Sequence, residues 1–526
     1  MKAIMRSLFF LLASLFSLVS SCQPKPKSEL PEQKVRLNLA LDPMTLDPRK
    51  GRALNERFLI GMLFEGLARE NAEGVNELAL ADRMEKLENG SRYVFHLREA
   101  YWSNGDRISS QDFIYAWKTA LDPLFPSENS YQLFCIKNAE AIKKGEMLSS
   151  ELGVTEIDAL TLQIDLQYPV PYFFELLSFP IFFPVHKSMD FSKSELVSSG
   201  PFCLTTWKHN DFIEVVKNEK YWDAQAVQLQ NIHFSMVSPE TEIRMFEKKE
   251  LDWAGSPLGD LPLDLLEKFR KESLLRTHPM LATTFFRLNT EKPPFTNANI
   301  RKAFALAVHR KALTDHVFQG ENEVATRFVP KSMRLQKEEY FPETDEAQAK
   351  ELFKKGLMEL GMSQEEFPKI TFLYRSSQKN NSIAQTIQQD WKRVLGITVE
   401  LEANEWKVCL GRIQQKDYQL TLSDWIADFN DPVNFLSVFK HKKDSLNNTQ
   451  WENEEYVDLL DISEIASSEN RKQILQRCES ILMQEMPIIP LYHSSMRYLK
   501  HDGLRKVVIS SLGNLDFKWA YVDNPK

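Results

Sequence analysis

Along the chain, short segments in which apolar and polar residues alternate are interspersed with longer segments in which apolar residues recur at helical spacing. Residues 35–41 and 93–98 alternate and predict strands. Apolar positions between residues 58 and 67 fall three and four apart and predict a helix, and Ser109 with Asp112 resembles a capping box that begins another. This succession indicates an α/β protein.

The clearest pattern lies in the carboxy-terminal part. Helices are predicted over residues 352–360, 383–395 and 406–413, and strands over residues 370–374, 397–401 and 418–423. Gly361 and Gly396 are predicted to end the first two helices. This βαβαβ succession favours a largely parallel sheet, in which ligands bind beyond the carboxyl ends of the strands. The functional site is therefore expected just after residues 418–423.

The segment that follows, residues 424–432 (DWIADFNDP), is predicted to be one loop with three carboxylates and two aromatic side chains. Taken alone, it is most simply interpreted as a solvated turn with capping aspartates. Asp428 differs because it stands between Ala427 and Phe429, where partial burial is expected. A buried carboxylate costs several kcal/mol unless a cation meets it. Asp428 is therefore expected to have either an internal Lys or Arg partner or a cationic ligand.

The amino-terminal segment has the pattern of a secretory signal peptide, with a positive start, an apolar run over residues 8–19 and two serines before Cys22. Residues 1–21 are predicted to be this signal. The sequence before Cys22 also resembles a bacterial lipobox, in which the cysteine becomes the lipidated first residue. The alternative is an ordinary signal cleaved near Ser21, with Cys22 an incidental thiol. Residues 22–34 contain three prolines and several charges, and predict a lipid-anchored tether.

Composition narrows the classes of function. A chain of 526 residues exceeds what one hydrophobic core usually covers, so two or more lobes are expected. The net charge of −8, without any Lys/Arg-rich block, argues against a nucleic-acid partner and against a polybasic membrane patch.

The remaining cysteines are Cys135, Cys203, Cys409 and Cys478. They are far apart and form no CxxC pair, so neither zinc nor thioredoxin-type chemistry is indicated. One disulfide is possible, although spacing does not choose its partners, and isolated buried thiols are the expected state.

Several segments together carry a resemblance to a known family. They are residues 46–48 (LDP), 63–67 (LFEGL), 93–98, 102–105 (WSNG), 112–117 (DFIYAW), 169–173 (PVPYF), 218–223 (NEKYWD), 294–295 (PF), 300–303 (IRKA), 405–406 (EW) and 425–432 (WIADFNDP). In order and spacing they resemble the periplasmic oligopeptide-binding proteins of peptide ABC transporters, within the bacterial extracellular solute-binding proteins of family 5. The resemblance covers nearly the whole chain after the tether.

The resemblance implies a two-lobed, hinged periplasmic-binding-protein fold of type II, in the three-domain oligopeptide-binding subclass, with mixed sheets. Lobe I would comprise residues 35–52, 178–280 and 492–526, with residues 53–177 as an extra domain packed on it, and lobe II residues 281–491. The two lobes would close over the ligand.

The resemblance also implies the ligand-binding residues. Asp428 would pair with the free ammonium of a peptide, through a charge-assisted hydrogen bond. The other implied ligand contacts are Gly51, Ala53, Tyr131, Trp406, Leu422, Ser423, Asp424, Trp425 and Ala427. Most of these would contribute backbone groups, whereas Trp406 and Tyr131 would line the cleft. The alternatives are a core tryptophan for Trp406 and a surface aromatic for Tyr131.

The chain departs from the family at the basic residues that meet the carboxylates of ligands of different lengths. Ile413, Leu422 and Asn380 stand at the matching positions, and all three are uncharged. Arg412 is nearby and is a candidate substitute, with a solvated surface charge as its alternative interpretation. No preference for peptide length can therefore be transferred, and a specialised ligand stays open.

The function implied by the resemblance is that of an extracytoplasmic lipoprotein that captures oligopeptides and delivers them to an inner-membrane ABC permease complex. It would act without a cofactor or metal, as a monomer in the periplasm or cell envelope, anchored through Cys22 to a membrane, with the cell inner membrane expected. The alternatives are a binder of the same fold for a murein peptide, a dipeptide, glutathione, haem or nickel, a surface adhesin or receptor, and an anchored hydrolase. The ten histidines are dispersed without HExxH spacing, and no GxSxG motif or glycine-rich phosphate loop is present, so an enzyme is not expected.

Overall fold

The computed structural model describes residues 32–71, 75–193, 195–320, 322–466 and 468–523. The predicted signal, Cys22 and most of the predicted tether lie outside the described residues. Within the described ranges, no helix is both long and apolar enough to cross a membrane.

Two four-stranded sheets belong to the first half of the chain. One has the order β1 (Lys34–Asn38), β10 (Asn231–Ser235), β9 (Phe212–Lys217) and β8 (Phe202–Lys208), with β1 parallel to β10 and the other pairs antiparallel. The other is antiparallel, in the order β4 (Ala81–Leu87), β5 (Arg92–Leu97), β7 (Thr161–Asp165) and β6 (Val154–Asp158).

A seven-stranded mixed sheet contains most of the remaining strands. Its order is β11 (Trp253–Gly255), β17 (Ile488–Lys500), β12 (Arg276–Leu288), β16 (Leu420–Ile426), β14 (Thr371–Arg375) and β15 (Glu400–Asn404), with β13 (Glu323–Val324) paired to β17. Three two-stranded ribbons complete the strands: β2 (Ala68–Glu70) with β3 (Asn76–Leu78), β18 (Leu504–Arg505) with β21 (Tyr521–Val522), and β19 (Val508–Ile509) with β20 (Leu515–Asp516).

The α-helices cover the sheets and connect them. They are α1 (Leu54–Leu63), α2 (Ser110–Ala120), α3 (Ala139–Lys143), α4 (Phe173–Leu176), α5 (Pro239–Glu247), α6 (Leu266–Lys271), α7 (Ala298–Leu306), α8 (Arg310–Phe318), α9 (Glu346–Leu360), α10 (Gln378–Leu395), α11 (Trp406–Gln414), α12 (Val433–Leu436), α13 (Glu454–Ile465) and α14 (Ser468–Glu485).

Local signals located several of these elements correctly. The capping box of Ser109 and Asp112 begins α2. Gly361 and Gly396 end α9 and α10 in the left-handed conformation, at φ 65° and 73°. These predictions are confirmed. The sequence was sufficient because a helix cap depends only on residues within one turn of it.

The prediction of a largely parallel sheet is wrong for the sheet as a whole. Strands β14, β15 and β16 are parallel, as the βαβαβ pattern indicated. Strand β12 pairs with β16 in the antiparallel sense, and β17, β11 and β13 extend that antiparallel part. The chain segments that add these strands come from before and after the βαβαβ unit, so the pattern within the unit did not include them.

The two longest strands, β12 and β17, have 13 residues each and run side by side in opposite directions. Their pairing extends from Arg276 opposite Tyr498 to Arg287 opposite Ile488, with register shifts on the way. The predicted borders of lobe II, at residues 281 and 491, fall inside these two strands. These borders stay a prediction, and they would place the hinge in this strand pair.

All four described cysteines are free thiols, and all but Cys203 are buried. Burial raises the pKa of the Cys135 and Cys478 thiols to about 12. These thiols therefore remain protonated and unreactive at neutral pH.

A buried carboxyl group on α14 gives the protein a predictable pH dependence. The Glu479 side chain is fully buried, and its Oε1 accepts the backbone N–H groups of Phe328 at 3.1 Å and Val329 at 2.8 Å. Burial raises the pKa of Glu479 from 4.5 to about 7, although these two bonds oppose the shift. Between pH 4.5 and pH 7, the folded protein therefore keeps a proton on Glu479 that the unfolded chain has already released.

Stability is accordingly expected to fall as pH rises from 4.5 to 7, and to level off above 7. Glu479→Gln imitates the protonated carboxyl and should remove this contribution. The stability of the variant relative to the wild type should increase by about 3 kcal/mol between pH 4.5 and pH 7.5. Urea unfolding at several pH values measures the difference, and Glu469→Gln, at an exposed position of the same helix, is the control. A difference that does not change with pH would contradict the assignment.

Candidate functional site

The strand that leads into the candidate site is longer than predicted. Strand β16 continues to Ile426, so Asp424, Trp425 and Ile426 belong to the strand and the predicted loop over residues 424–432 is wrong in its first three residues. Each of these three residues pairs with a residue of β12. The partner strand therefore decides where β16 ends, and the loop begins at Ala427.

One edge of β16 is open next to this loop. The ladder between β14 and β16 contains only two pairs, Phe372 with Leu420 and Leu373 with Thr421. On the other side, the pairing with β12 continues to Ile426. Among the described strands, none pairs with the outer edge of residues 422–426. These residues, which include the predicted contacts Leu422 and Ser423, therefore have backbone groups available to an extended ligand.

Asp428 lies just beyond the end of this open edge. Its side chain is 15 % exposed, and the hydroxyl group of Tyr131 donates a 2.6 Å hydrogen bond to its Oδ2. Arg57 Nη1 lies 3.6 Å from its Oδ1. Of the two expected environments for Asp428, the structure shows an internal arginine partner. Burial and the charge of Asp428 raise the pKa of Tyr131 well above its usual value, so this phenol keeps its proton.

A single amide side chain holds the loop in place. Asn434 Oδ1 accepts the indole N–H of Trp425 at 3.1 Å and the backbone N–H of Asp428 at 3.1 Å. Ala427 is fully buried, and its N–H donates to the carbonyl of Leu281 at 2.8 Å. The position of Asp428 is therefore fixed by its bond to Asn434 of α12 and by the bond from Ala427 to β12.

The three carboxylates of the loop prediction have separate roles. Asp431 forms two 2.8 Å hydrogen bonds with the guanidinium group of Arg471. Asp424 is exposed on β16 and accepts the hydroxyl group of Thr284. Asp428 lines a pocket. Its side chain is 15 % exposed and that of Asp431 is 13 % exposed, so partial burial does not distinguish Asp428 from Asp431 as expected.

Gly51 and Ala53 lie just before the start of α1. The N–H of Gly51 donates to the carbonyl of Asp47 at 2.9 Å, and the N–H of Ala53 donates to Glu56 Oε2 at 2.9 Å. The carbonyl of Gly51 accepts the side-chain N–H of Asn129 at 2.7 Å. Ligand contacts through these two N–H groups would therefore require a change in local hydrogen bonding.

Two further predicted ligand contacts, Trp406 and Arg412, lie on α11. Trp406 is the first residue of α11 and is 47 % exposed, so the alternative of a core tryptophan is wrong. Arg412 forms ion pairs with Glu402 and Asp417 in a pocket before the start of β16. Since seven strand residues at about 3.3 Å each separate that end from the Asp428 end, the structure does not bring Arg412 and Asp428 together.

Arg57 and Asn434 are residues of the site that the sequence analysis did not identify. The only signal for Arg57 is a charged residue beside the apolar positions 58–60 of a predicted helix. The sequence offers no comparable signal for Asn434, because its role depends on where Trp425 and Asp428 come to lie.

The described residues contain no group of three or more His, Cys, Asp or Glu side chains arranged to hold a metal ion. The site that they do form is an open strand edge ending at a half-buried carboxylate. An open strand edge can pair with an extended chain, and a carboxylate can accept hydrogen bonds from a cation.

Comparison with known proteins identifies the family. The model described as bacterial extracellular solute-binding proteins, family 5 Middle, matches residues 77–447. The oligopeptide-binding protein OppA of Bacillus subtilis is 36 % identical over 502 residues, which cover 93 % of this chain and 92 % of OppA. The chain therefore belongs to the bacterial extracellular solute-binding proteins of family 5, as the sequence resemblance predicted.

Solved structures agree. The structure of Haemophilus influenzae OppA in complex with RPPGFSPFR has a TM-score of 0.83 at 26 % identity and covers 94 % of this chain and 100 % of that chain. The Escherichia coli murein tripeptide binding protein MppA has a TM-score of 0.82 at 28 % identity, with coverages of 94 % and 99 %. The predicted two-lobed α/β fold with mixed sheets is confirmed.

Proposed function

We propose that this protein captures oligopeptides outside the cytoplasm and delivers them to an inner-membrane ABC permease complex. The observation that carries the proposal is the open edge of β16 over residues 422–426, which leads directly to the carboxylate of Asp428. A peptide added at this edge would use its backbone for strand pairing and its free ammonium for Asp428. Both features are common to all peptides, so the site would accept many sequences.

Closure of the two proposed lobes would complete the capture. Tyr131 belongs to the proposed extra domain and Asp428 to proposed lobe II, and the two side chains are in direct contact. Tyr172 stacks on Phe429 with ring centroids 4.5 Å apart, which is a second contact between the same segments. A ligand that contacts both sides is expected to favour the closed form, because only the closed form offers both sets of contacts.

A specialised ligand is the second candidate. It is favoured by the uncharged residues Ile413, Leu422 and Asn380, which stand where the resemblance implies basic residues. One relative is named a dipeptide-binding protein and another a murein peptide-binding protein. Such a ligand would use the same site.

Native mass spectrometry of the protein purified from its own compartment tests the proposal. We expect co-purifying peptides of several masses that are released on denaturation. One defined small molecule in place of peptides would favour the specialised ligand. Cleavage products appearing from added peptides would instead support the hydrolase alternative.

Lipid anchoring is a separate part of the proposal. Cys22→Ser should move the protein from the membrane fraction to the soluble fraction, because the thioether to the lipid cannot form. Cell fractionation and the intact mass of the mature chain measure this, with Cys203→Ser, at a free internal thiol, as the control. A Cys22→Ser protein that still carries lipid and stays with the membrane would show that Cys22 is not the anchor.

A further inference from the structure

The guanidinium group of Arg57 is buried with few partners. Its side chain is only 7 % exposed, and its one ion-pair partner among the described residues is Asp428, at 3.6 Å. Its Nε has no hydrogen-bond partner in the part of the chain that the structure describes, and the ring of Phe179 lies 5.3 Å from the guanidinium carbon. A buried donor without an acceptor is costly, so this arrangement calls for an explanation.

Comparison with Arg471 shows what distinguishes Arg57. Arg471 is buried to a similar degree, and its Nε also has no hydrogen-bond partner among the described residues, but its two other nitrogens donate to Asp431 at 2.8 Å. Arg57 has the same kind of neighbouring carboxylate at a longer distance, without a comparable paired hydrogen bond. Its donors therefore remain available to a further acceptor.

Arg57 and Asp428 both line a cavity of about 80 Å³ between α1, the segment around Phe179 and the β19–β20 ribbon. Gly61 lies one helical turn after Arg57, and a Cβ atom added there would meet no atom within 4 Å. The cavity therefore has room for a small polar group next to the Arg57 guanidinium.

The other acidic groups of the cavity do not neutralise Arg57. Glu65 and Asp516 both pair with Arg69. Burial raises the pKa of Glu70 to about 7, and no ion pair joins it to Arg57. When a peptide ammonium binds Asp428, this carboxylate is shared between two cations, and the site gains an uncompensated positive charge.

We propose that Arg57 makes the site selective for peptides whose first residue carries a carboxylate, such as an amino-terminal Glu or Asp. This inference rests on the proposed function, since it assumes that Asp428 takes the ammonium. Asp428 and Arg57 are adjacent in the site. The ammonium and the side-chain carboxylate that they would bind belong to the same residue of the peptide. An arginine fork is suited to a carboxylate because it can donate two parallel hydrogen bonds.

Calorimetric titration with matched tripeptides Glu-Ala-Ala and Gln-Ala-Ala tests the inference. The wild type should bind the Glu peptide about tenfold or more tightly, as expected for a charge-assisted hydrogen bond in a buried site. Arg57→Met should lose this preference, whereas Arg83→Met, at an exposed arginine of β4, should keep it. The preference is measured within one protein, so a change in overall stability of a variant does not imitate it.

The outcomes separate the inference from the proposed function. Equal binding of the two peptides to the wild type would overturn the selectivity and leave peptide binding intact. A preference that survives in Arg57→Met would show that another residue causes it, and would also overturn the role of Arg57. If neither these tripeptides nor any longer free peptide binds the wild type, the proposed function itself is wrong.

Discussion

Asp428→Asn should weaken the binding of peptides with a free amino terminus by about 2–5 kcal/mol, the usual effect of removing one partner of a buried, hydrogen-bonded charge pair. The amide keeps the shape of the side chain and can still accept from Tyr131, but it has no charge to offer an ammonium. The same change leaves the buried Arg57 without its ion-pair partner, which adds a second unfavourable contribution.

Calorimetry with one peptide in free and amino-terminally acetylated form separates these contributions. Acetylation should reduce binding to the wild type strongly and should have little further effect on the variant, because both changes remove the same interaction. Asp417→Asn is the matched control, since Asp417 is an exposed carboxylate just before the same strand. If both the substitution and acetylation leave affinity unchanged, Asp428 does not hold the ammonium.

Trp391→Ala should lower the free energy of unfolding by about 3–5 kcal/mol, the range for removing a large aromatic side chain from a packed core. The side chain is fully buried, and its indole N–H donates to the carbonyl of Phe304 at 2.9 Å. Its ring centroid lies 5.1 Å from that of Phe304 and 5.3 Å from that of Phe286. The substitution would leave a cavity and an unpaired carbonyl between α10, α7 and β12.

Urea unfolding of the ligand-free protein measures this effect. Trp406→Ala is the control, because this tryptophan is half exposed at the start of α11 and should cost far less. Similar losses for the two variants would mean that the core around Trp391 is less well packed than the structure indicates.

The helix ends, the parallel pairing of the strands in the βαβαβ segment and the family were predictable from the sequence. Gly361, Gly396 and the Ser109–Asp112 box act through their nearest neighbours along the chain, so a local pattern is enough to find them. Asp428 was identified as a candidate anchor from its apolar neighbours and from the family resemblance together. Its role as the anchor stays a prediction.

The sequence by itself determined the α/β class, the family and the candidate carboxylate, because each depends on residues that are close in the chain or on a pattern that extends over its whole length. Only the tertiary structure decided that β16 continues through Asp424 and Trp425, that its outer edge is open, and that Arg57 faces Asp428. Arg57 is separated from Asp428 by 371 positions in the chain, and no local pattern relates them. The physical reason is that strand ends and buried ion pairs are set by partners that folding brings together from distant segments.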